Sequence, residues 1–465
     1  MFTKLYLPWH SKNPMLYTLL KLIYQTGLRV FFRRFEVRNR HLMPAQGPLL
    51  VVSNHPNTFM DPIVTASLLR QPAYFIAKST VFGGKLQNWM LRQMHLIPIH
   101  RREDNPDQPV SNEEAFMASF KALQQSKTLI IFPEGNSFNQ RRLRKIKTGT
   151  ARIALGAEAG HGYTLGVQIL PVGLNYSAPT RFRSDVFVNV GEPISVAEYA
   201  AAYERDGQQA VLALTEEIRH RLESLIIHTP TDEEDELARQ VESIYKERLT
   251  AAAPPVPAHE QDFLLTKAIV RSVGYFSQTA PARVAALKQD LTDYTLQLRR
   301  LRLHDAFLGK GSSAVLRQGI LGLFYLLLGL PVYLYGALHN YIPYIIPSRV
   351  ARAATKEEEW YAPIMLTVGI FSFPLFYLLE AWLLWQWLMP GSLWLMLYVL
   401  SLPLSGFFTL HYWSVLLHTR AHWLLLHLFF RRQNVVEKLC QQRQRIIAQL
   451  EQAQQEYTAH QNARS

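Results

Sequence analysis

A histidine and an aspartate stand six positions apart in the stretch SNHPNTFMDP, residues 53–62, directly after the apolar run GPLLVV. On a regular α-helix, positions six apart point about 240° away from each other, so His55 and Asp61 cannot meet there. Pro56 disfavours helix at His55, and Pro62 suits the first position of a helix that starts near Asp61. The spacing therefore predicts a strand, a tight turn and then a helix, with the turn bringing an imidazole beside a carboxylate.

These two residue types suit general-base catalysis, with the imidazole as the base and the carboxylate as its partner. An imidazole ordinarily titrates near neutral pH, so its neutral form can take a proton from a hydroxyl group. A neighbouring carboxylate fixes the tautomer and favours the imidazolium that forms. Backbone N–H groups of the turn over residues 56–60 are then expected to stabilise an oxyanion. In the alternative interpretation, Asp61 is only a helix N-cap and His55 is an ordinary turn residue.

Two other predicted strands end in residues that suit substrate binding. The stretch LIPIHRR delivers Arg101 into a loop, where a guanidinium group suits bidentate binding of phosphate. The stretch IIFPEGNSF places Glu134 after an apolar strand, and Gly135 permits a tight turn and a close backbone approach. We expect Glu134 to bind acceptor hydroxyls; alternatively, it is a surface carboxylate. The same stretch resembles a nucleophile elbow, but Asn139 replaces the usual glycine, which makes Ser137 a less favourable nucleophile.

A basic run and a strand proline follow. The run RRLRKIK, residues 141–147, has the pattern of a solvated face, but its place directly after the candidate phosphate site favours binding of lipid headgroups or substrate phosphate. Lys147 begins a helical stretch and is the member for which we expect a structured role. Pro171 lies inside the β-like stretch ILPVGLNY, which is typical of an edge strand or a bulge.

The elements that must position these residues alternate between β-like runs and helical stretches. This alternation, between about residues 35 and 195, predicts an α/β domain with a largely parallel or mixed sheet. In such sheets, functional loops gather at the carboxyl ends of the strands. The predicted strands are 35–37, 48–53, 73–78, 96–100, 128–132, 168–176 and 186–192, and the predicted helices lie near 62–70, 84–94, 112–126, 147–159 and 207–226.

The whole chain divides into five predicted segments. The first is an amphipathic helix that either lies in a membrane interface or packs on the following domain. The second is the α/β domain that carries the candidate site, the third is a soluble helical segment with many charges, the fourth is membrane-embedded and the fifth is a polar, Gln-rich helix. Their predicted bounds are 1–34, 35–227, 228–315, 316–430 and 431–465.

The fourth segment contains three apolar runs that are about long enough to cross a bilayer. Basic residues precede the last two runs at 349–356 and follow them at 420–432, which favours a hairpin with both ends in the cytoplasm. The runs are residues 319–338, 362–389 and 392–417.

Prolines and one acid interrupt these runs. The first run either spans the membrane or is re-entrant and broken near Pro331 and Pro343. Glu380 is the acidic residue of the second run, and we expect it near a helix end or paired with His411.

The composition is basic and rich in apolar residues. The 465 residues carry 49 Lys and Arg against 36 Asp and Glu, a net charge of +13, while 18% of residues are charged and 48% are hydrophobic. This balance favours anionic partners and contact with lipid. The basic residues are scattered without interleaved aromatics, which argues against nucleic acid as a partner. The single cysteine, Cys440, excludes an intramolecular disulfide and a cysteine metal cluster, and we expect no cleavable signal peptide.

Taken in order, the blocks NHPNTFMD, IPIHR, FPEGNS and ILPVG resemble the four motif blocks of the glycerolipid acyltransferase superfamily. The resemblance covers roughly residues 30–200. Two departures are present: five residues instead of four separate His55 from Asp61, and Asn136 alone stands between the glycine and the serine of the third block. Both variants, and the apolar pairs near the C-terminus, resemble a branch whose members acylate glycerol-3-phosphate or dihydroxyacetone phosphate.

The resemblance implies an enzyme of phospholipid biosynthesis. Such an enzyme moves a fatty acyl group from a thioester, either acyl-CoA or acyl carrier protein, to a hydroxyl of glycerol-3-phosphate, dihydroxyacetone phosphate or 1-acylglycerol-3-phosphate, and we expect no metal or other cofactor. The residues that the resemblance assigns are His55 as general base, Asp61 as its partner, Arg101, Glu134 and Gly135 for the acceptor and its phosphate, and Pro171 near the acyl pocket.

The expected partners are the donor thioester, the phosphate-bearing glycerol acceptor and anionic membrane lipid, and the expected location is a membrane with the catalytic domain on its cytoplasmic face. Two other interpretations stay open. In the first, the protein is a membrane serine esterase with Ser137 as nucleophile and His55 as base. In the second, it is a non-catalytic membrane scaffold that binds anionic lipid through residues 141–147.

Overall fold

The chain folds into two compact units, and each is described by itself. The first comprises Met1–His228 with Pro347–Ile370, and the second comprises Thr229–Ile346 with Phe371–Ser465. The structure, a computed structural model, describes residues 14–100, 112–252, 258–301, 303, 305–308, 312–389, 391–431 and 433–463.

The described elements are fifteen α-helices and eight strands. The strands are β1 Arg34–Arg38, β2 Leu49–Ser53, β3 Ala73–Lys78, β4 Leu96–Ile99, β5 Thr128–Ile131, β6 Gln168–Tyr176, β7 Asp185–Val190 and β8 Ile194–Ser195. The helices are α1 Pro14–Phe31, α2 Met60–Leu68, α3 Lys85–Gln93, α4 Glu113–Gln124, α5 Gly149–Ala159, α6 Ala200–Arg205, α7 Gly207–Leu225, α8 Asp232–Ala252, α9 Ala258–Thr279, α10 Pro281–Leu301, α11 Asp305–Leu308, α12 Ser312–Ala354, α13 Tyr361–Leu388, α14 Ser392–Arg431 and α15 Gln433–Asn462.

All eight strands form one mixed sheet in the first unit. Its order is β1-β7-β6-β2-β5-β3-β4, with β8 paired to β6. Strands β6, β2, β5, β3 and β4 run parallel to one another, and β7 and β8 run antiparallel to β6. The predicted α/β fold with a mixed sheet is confirmed, and the carboxyl ends of five parallel strands share one edge.

Helices cover both faces of this sheet, because the central strands are apolar on both sides. In β2, Leu50 and Val52 face a core formed with α4, α5 and α7. Leu49 and Val51 face a second core formed with α1, α2 and the first turns of α13. The unit is therefore a three-layer sandwich in which β2, the strand before the His–Asp turn, is buried along its whole length.

Helix α1 packs on this sandwich by one face. Leu28 and Phe31 are buried in the second core, and Lys21 Nζ donates to Leu69 O, 2.6 Å, at the end of α2. The opposite face exposes Met15, Leu19 and Leu22. Packing on the domain is thus part of the role of this helix, and contact of its exposed face with a membrane stays a prediction.

Pro171 lies in an interior strand, so the expectation of an edge strand is wrong. It sits opposite Val52 in the pairing of β6 with β2. On the other side, β6 pairs with β8 at residues 168–169 and with β7 from Val172 onward, and Gly191 N donates to Pro171 O, 2.9 Å. The missing N–H of proline falls where the pairing changes from one strand to the other, so it leaves no gap within a continuous ladder.

The second unit contains two groups of helices. Helices α8, α9, α10 and α15 pack together, and Arg443 holds Asp305 through two hydrogen bonds of 2.8 and 2.9 Å. Buried Tyr294 donates to the same carboxylate, 2.6 Å. The tail predicted as a polar helix thus forms α15 and packs against the charged helices.

Among the described residues, three helices are long and apolar enough to cross a membrane, judged by length and composition: Ala314–Ala354, Glu358–Leu388 and Ser392–His427. The first belongs to α12, which runs through Pro331 and Pro343 as one helix of 43 residues, so of the two alternatives left open by the sequence the break at these prolines is not met. Glu380 pairs with His339, Nδ1 to Oε2 3.3 Å, so the alternative in which it pairs with His411 is not met.

Candidate active site

Three residues that could act together come from the ends of neighbouring strands. Strands β2, β5 and β6 are parallel neighbours, and His55, Glu134 and Tyr176 lie at or just after their carboxyl ends. Functional side chains of α/β sheets gather at such an edge. The residues therefore meet although up to 121 positions separate them in the chain.

The turn between β2 and α2 differs in detail from the expectation. Helix α2 begins at Met60, so Pro62 is its third residue rather than its first. The missing N–H still falls in the first turn, where intrahelical acceptors are absent. The N-cap residue is Phe59, and no side chain caps the helix. The alternative in which Asp61 serves only as an N-cap is therefore wrong.

The turn brings the predicted imidazole and carboxylate into direct contact. His55 Nδ1 lies 2.8 Å from Asp61 Oδ2. The same oxygen accepts the backbone N–H of Asn57, 2.7 Å, and the other oxygen accepts the hydroxyl of Tyr176, 2.8 Å. The ring of Phe132 stacks on the imidazole with centroids 4.2 Å apart. The orientation of the imidazole is thus fixed by a hydrogen bond at its edge and a ring on its face.

Burial and hydrogen bonding oppose each other at Asp61. The side chain has no exposed surface, and this burial raises the pKa of Asp61, while the donors His55, Asn57 and Tyr176 act to lower it. Burial raises the pKa of Tyr176 well above its usual value, so its hydroxyl keeps its proton and donates. With Asp61 ionised, Nδ1–H donates to the carboxylate and Nε2 keeps its lone pair.

The backbone of this turn does not supply the expected row of free donors. Asn57 N donates to Asp61, Thr58 N donates to Ser137 Oγ, 2.8 Å, and Met60 N donates to Asn57 O, 2.8 Å. The N–H groups of Asn57, Thr58 and Met60 are therefore already bound to acceptors inside the protein, and an oxyanion hole that uses the N–H of Phe59 stays a prediction.

Glu134 clamps two backbone segments of the site. Its Oε1 accepts the N–H of His55, 2.8 Å, and its Oε2 accepts the N–H of Arg144, 3.0 Å. Only 9% of the residue is exposed, and this burial raises the pKa of Glu134 against the lowering effect of the two donors. The reading as a surface carboxylate is wrong. Binding of acceptor hydroxyls by Glu134 stays a prediction.

Gly135 and Lys147 lie against each other. Gly135 has a φ of +78°, and a Cβ at this position would lie 3.0 Å from Lys147 Cε and 3.1 Å from Nζ. Glycine is the residue that accepts both this backbone conformation and this approach. Lys147 N donates to Pro133 O, 2.8 Å, and α5 begins at Gly149, so Lys147 precedes this helix rather than opening it.

Ser137 and the basic run have defined contacts. Ser137 Oγ accepts the N–H of Thr58, whereas the hydrogen bond that the structure describes for the His55 ring goes to Asp61. The guanidinium carbon of Arg144 lies 3.2 Å from the centroid of the Phe138 ring, so part of the basic run packs on the site instead of lying on a solvated face.

The strand that precedes the predicted phosphate ligand Arg101 is described to its end. Strand β4 ends at Ile99 at the same sheet edge, and His100 N donates to Asn112 Oδ1, 2.9 Å. Arg101 lies outside the described residues, so its role stays a prediction.

A pocket of about 690 Å³ opens at His55. Its walls are mostly apolar and come from α1, α2, β3 and the residues around the start of α13. A volume of this size accommodates a small organic ligand. Lining residues include His55, Tyr24, Ile63, Phe75, Trp360 and Ile364.

Sequence reasoning missed Tyr176, Thr58 and the residues around Trp360. The position of Tyr176 at the end of a predicted strand was a usable signal, since its hydroxyl reaches the edge where the other polar groups gather. The segment near Trp360 carried no comparable signal, because it lies 301 positions from Thr58 and directly before an apolar run. Within the part of the chain that the structure describes, no group of three or more His, Cys, Asp or Glu side chains could hold a metal ion.

The domain that carries this site is similar to known proteins. Residues 34–175 match the sequence model of the family described as Acyltransferase. An uncharacterized acyltransferase of Schizosaccharomyces pombe is 31% identical over 183 residues, which are 38% of this chain and 25% of that protein. Glycerol-3-phosphate O-acyltransferase 2 of Saccharomyces cerevisiae is 30% identical over 200 residues, 42% of this chain and 25% of that protein.

The chain thus spans about a quarter of the length of the curated relatives it matches. Among solved structures, the 1-acyl-sn-glycerophosphate acyltransferase PlsC from Thermotoga maritima aligns with a TM-score of 0.32 and 20% identity over 44% of this chain and 80% of that chain. The match of residues 34–175 and the similarity to glycerol-3-phosphate O-acyltransferases support the glycerolipid acyltransferase superfamily for this domain.

Proposed function

We propose that the protein transfers a fatty acyl group from an acyl thioester to a hydroxyl of a phosphate-bearing glycerol acceptor. The observation that carries this proposal is the His55–Asp61 contact of 2.8 Å at the mouth of an apolar pocket. The expected donors are acyl-CoA or acyl carrier protein. The expected acceptors are glycerol-3-phosphate, dihydroxyacetone phosphate and 1-acylglycerol-3-phosphate, and similarity to a yeast glycerol-3-phosphate O-acyltransferase favours the first.

In the proposed reaction, Nε2 of His55 takes the proton of the acceptor hydroxyl as its oxygen bonds to the thioester carbonyl carbon. Asp61 stays ionised and stabilises the imidazolium. The tetrahedral intermediate then collapses, the C–S bond breaks, and the departing sulfur receives the proton from the imidazolium. The atoms balance without a covalent enzyme intermediate, and Cys440 has no part in the reaction.

The apolar helices support a location in a membrane. Three helices have the length and composition of membrane spans, and basic residues flank the last two of them in the sequence. The positive-inside tendency favours a catalytic domain on the cytoplasmic face. There, the acceptor binds from water and the product enters lipid. Anionic headgroups are the partners expected for basic residues at this surface.

The His55→Ala variant tests the proposal. Purified full-length protein in detergent is assayed for transfer from a radiolabelled acyl thioester to each acceptor. Loss of a general base lowers kcat by about 10²–10⁴-fold. His220→Ala is the control, since His220 lies on α7 with 66% of its side chain exposed. Wild-type turnover by folded His55→Ala protein would show that His55 is not the base.

Two further variants separate the proposal from its competitors. A serine esterase loses its activity in Ser137→Ala, whereas the proposed transferase loses a few-fold, because Ser137 Oγ only accepts the N–H of Thr58. Arg101→Ala is expected to raise the KM for the phosphate-bearing acceptor, and an unchanged KM removes Arg101 from phosphate binding. Lipid binding without thioester consumption by the wild-type protein would favour the scaffold interpretation.

A further inference from the structure

A short segment from far along the chain touches the turn that carries His55 and Asp61. We call this segment, Glu357–Trp360, the strap. Thr58 Oγ1 donates to Glu359 O, 2.8 Å. The rings of Phe59 and Trp360 meet edge to face with centroids 5.1 Å apart. The strap lies outside residues 34–175, which match the acyltransferase family.

The strap is itself folded and directly precedes an apolar helix. Trp360 Nε1 donates to Glu357 Oε2, 2.9 Å, and Trp360 N donates to Glu357 O, 3.2 Å. Helix α13 begins at Tyr361, and its first turns line the same pocket as His55. The position of the strap is thus fixed by its own hydrogen bonds and by the helix that follows.

The turn needs such support because its backbone is strained. Thr58 has a φ of +33°, a value that a β-branched residue rarely adopts. Two contacts hold it in place: its N–H donates to Ser137 Oγ, and its hydroxyl donates to the strap. A strained conformation persists only where its surroundings determine it, so loss of the strap contact frees this residue to relax.

Relaxation of Thr58 affects the reaction centre directly. The preceding residue, Asn57, donates its N–H to Asp61 Oδ2, and this oxygen also binds His55 Nδ1. A change in the backbone at Thr58 therefore moves a donor that fixes the carboxylate. Small misplacements of a catalytic group cost a large part of the rate.

We propose that the strap is a positioning element for the reaction centre: it holds the turn over residues 55–61 in the conformation in which His55 meets Asp61. The inference rests on the proposed acyl transfer for its kinetic test, and on the geometry of the turn for its structural test. It follows that the reaction centre is complete only when the first turn of a candidate membrane helix is in place.

Thr58→Val removes the donor and keeps the shape of the side chain. We expect kcat to fall about fivefold to tenfold, as for loss of one hydrogen bond, with the KM of the donor thioester within twofold of wild type. Thr58→Ser keeps the hydroxyl and is expected to restore kcat. Thr164→Val is the control, because exposed Thr164 also donates to a backbone oxygen, His161 O, 2.7 Å.

Trp360→Ala removes the second contact, and Trp360→Phe keeps a ring against Phe59. Trp89→Ala is the control, since Trp89 is 51% exposed and does not line the pocket. If both contacts act through one strap, their losses are not additive. The kcat of the Thr58→Val/Trp360→Ala double variant is then expected to lie within twofold of the kcat of the slower single variant. Multiplied effects of the two single variants would overturn the proposal.

Hydrogen exchange separates this inference from the proposed function. The wild-type protein, Thr58→Val and Trp360→Ala are compared in the same detergent by mass spectrometry. We expect amides 57–60 to exchange at least tenfold faster in Trp360→Ala, while amides 128–131 of β5 keep their protection. Unchanged exchange at 57–60 would overturn the strap even if acyl transfer is confirmed. Faster exchange supports it even if the wild-type protein transfers no acyl group.

Discussion

Tyr176→Phe is the change that most directly probes the electrostatics of the candidate reaction centre. It removes the hydroxyl that donates to Asp61 Oδ1, 2.8 Å, and leaves the donors on Oδ2 in place. Tyr176 is only 9% exposed, so water does not replace the lost donor without a rearrangement. The carboxylate of Asp61 then keeps its charge with fewer hydrogen bonds.

The sign and size of the effect follow from this loss. Donors to the carboxylate lower the pKa of Asp61 against the effect of burial, so removal of one donor raises the pKa of Asp61. A hydrogen bond to a charged group contributes about 1.5–3 kcal/mol. Because the other donors compensate in part, we take the low end, which corresponds to about one pH unit.

The assay is the pH dependence of kcat/KM for acyl transfer. The acid limb of the profile is expected to move up by about one pH unit in Tyr176→Phe, with a smaller change on the plateau. Tyr74→Phe is the control, since Tyr74 is also buried and stacks on His95 away from the pair. An acid limb within about 0.2 pH units of wild type would refute the reasoning, since one unit is the shift expected.

Three further substitutions test the surroundings of the site. Gly135→Ala places a Cβ 3.0 Å from Lys147 at a positive φ and is expected to lower kcat about tenfold. Gly162→Ala is the control: this glycine also has a positive φ, but open space surrounds it, so the variant shows the backbone cost alone, about 1–2 kcal/mol. Glu134→Gln replaces one of two acceptors for backbone N–H groups and is expected to lower the free energy of unfolding in denaturant by about 1–3 kcal/mol; wild-type stability would contradict the clamp. Burial alone would raise the pKa of Asp185, but hydrogen bonds and charges of two arginines lower it below its usual value. A carboxylate with a lowered pKa stabilises the fold at pH values above its unfolded-state pKa, and this stabilisation is lost as pH falls through the folded-state pKa. Asp185→Asn is therefore expected to lower the free energy of unfolding at pH 7 by up to about 1 kcal/mol and to match wild type at pH 2. A difference in thermal unfolding that does not depend on pH would contradict this.

Local signals in the sequence gave much of the sheet and of the site. Strands β3 and β6 have the predicted bounds, because apolar β-branched runs end at turn residues. Pro56 and the run of small polar residues predicted the turn that joins His55 to Asp61. Long apolar runs predicted the three apolar helices. Each of these signals can be read within one continuous stretch of the chain.

Other features depended on the order of strands and on side-chain packing. The edge-strand interpretation of Pro171 failed because β6 pairs with different strands along its length, which a local pattern does not encode. Helix α12 continues through its prolines, and Glu380 pairs with His339 across two helices. These arrangements depend on which surfaces pack together.

The sequence by itself determined that the pair His55 and Asp61 stands where a buried strand turns into a helix, because Pro56 disfavours helix at His55 and positions six apart cannot meet on one regular helix. Tertiary structure alone decided what surrounds that pair: the hydroxyl of Tyr176 on Asp61, the clamp of Glu134 on His55, and the contact of Thr58 with Glu359. Backbone stereochemistry constrains near neighbours, whereas contacts between residues up to 301 positions apart arise only when burial of apolar surface brings whole elements together.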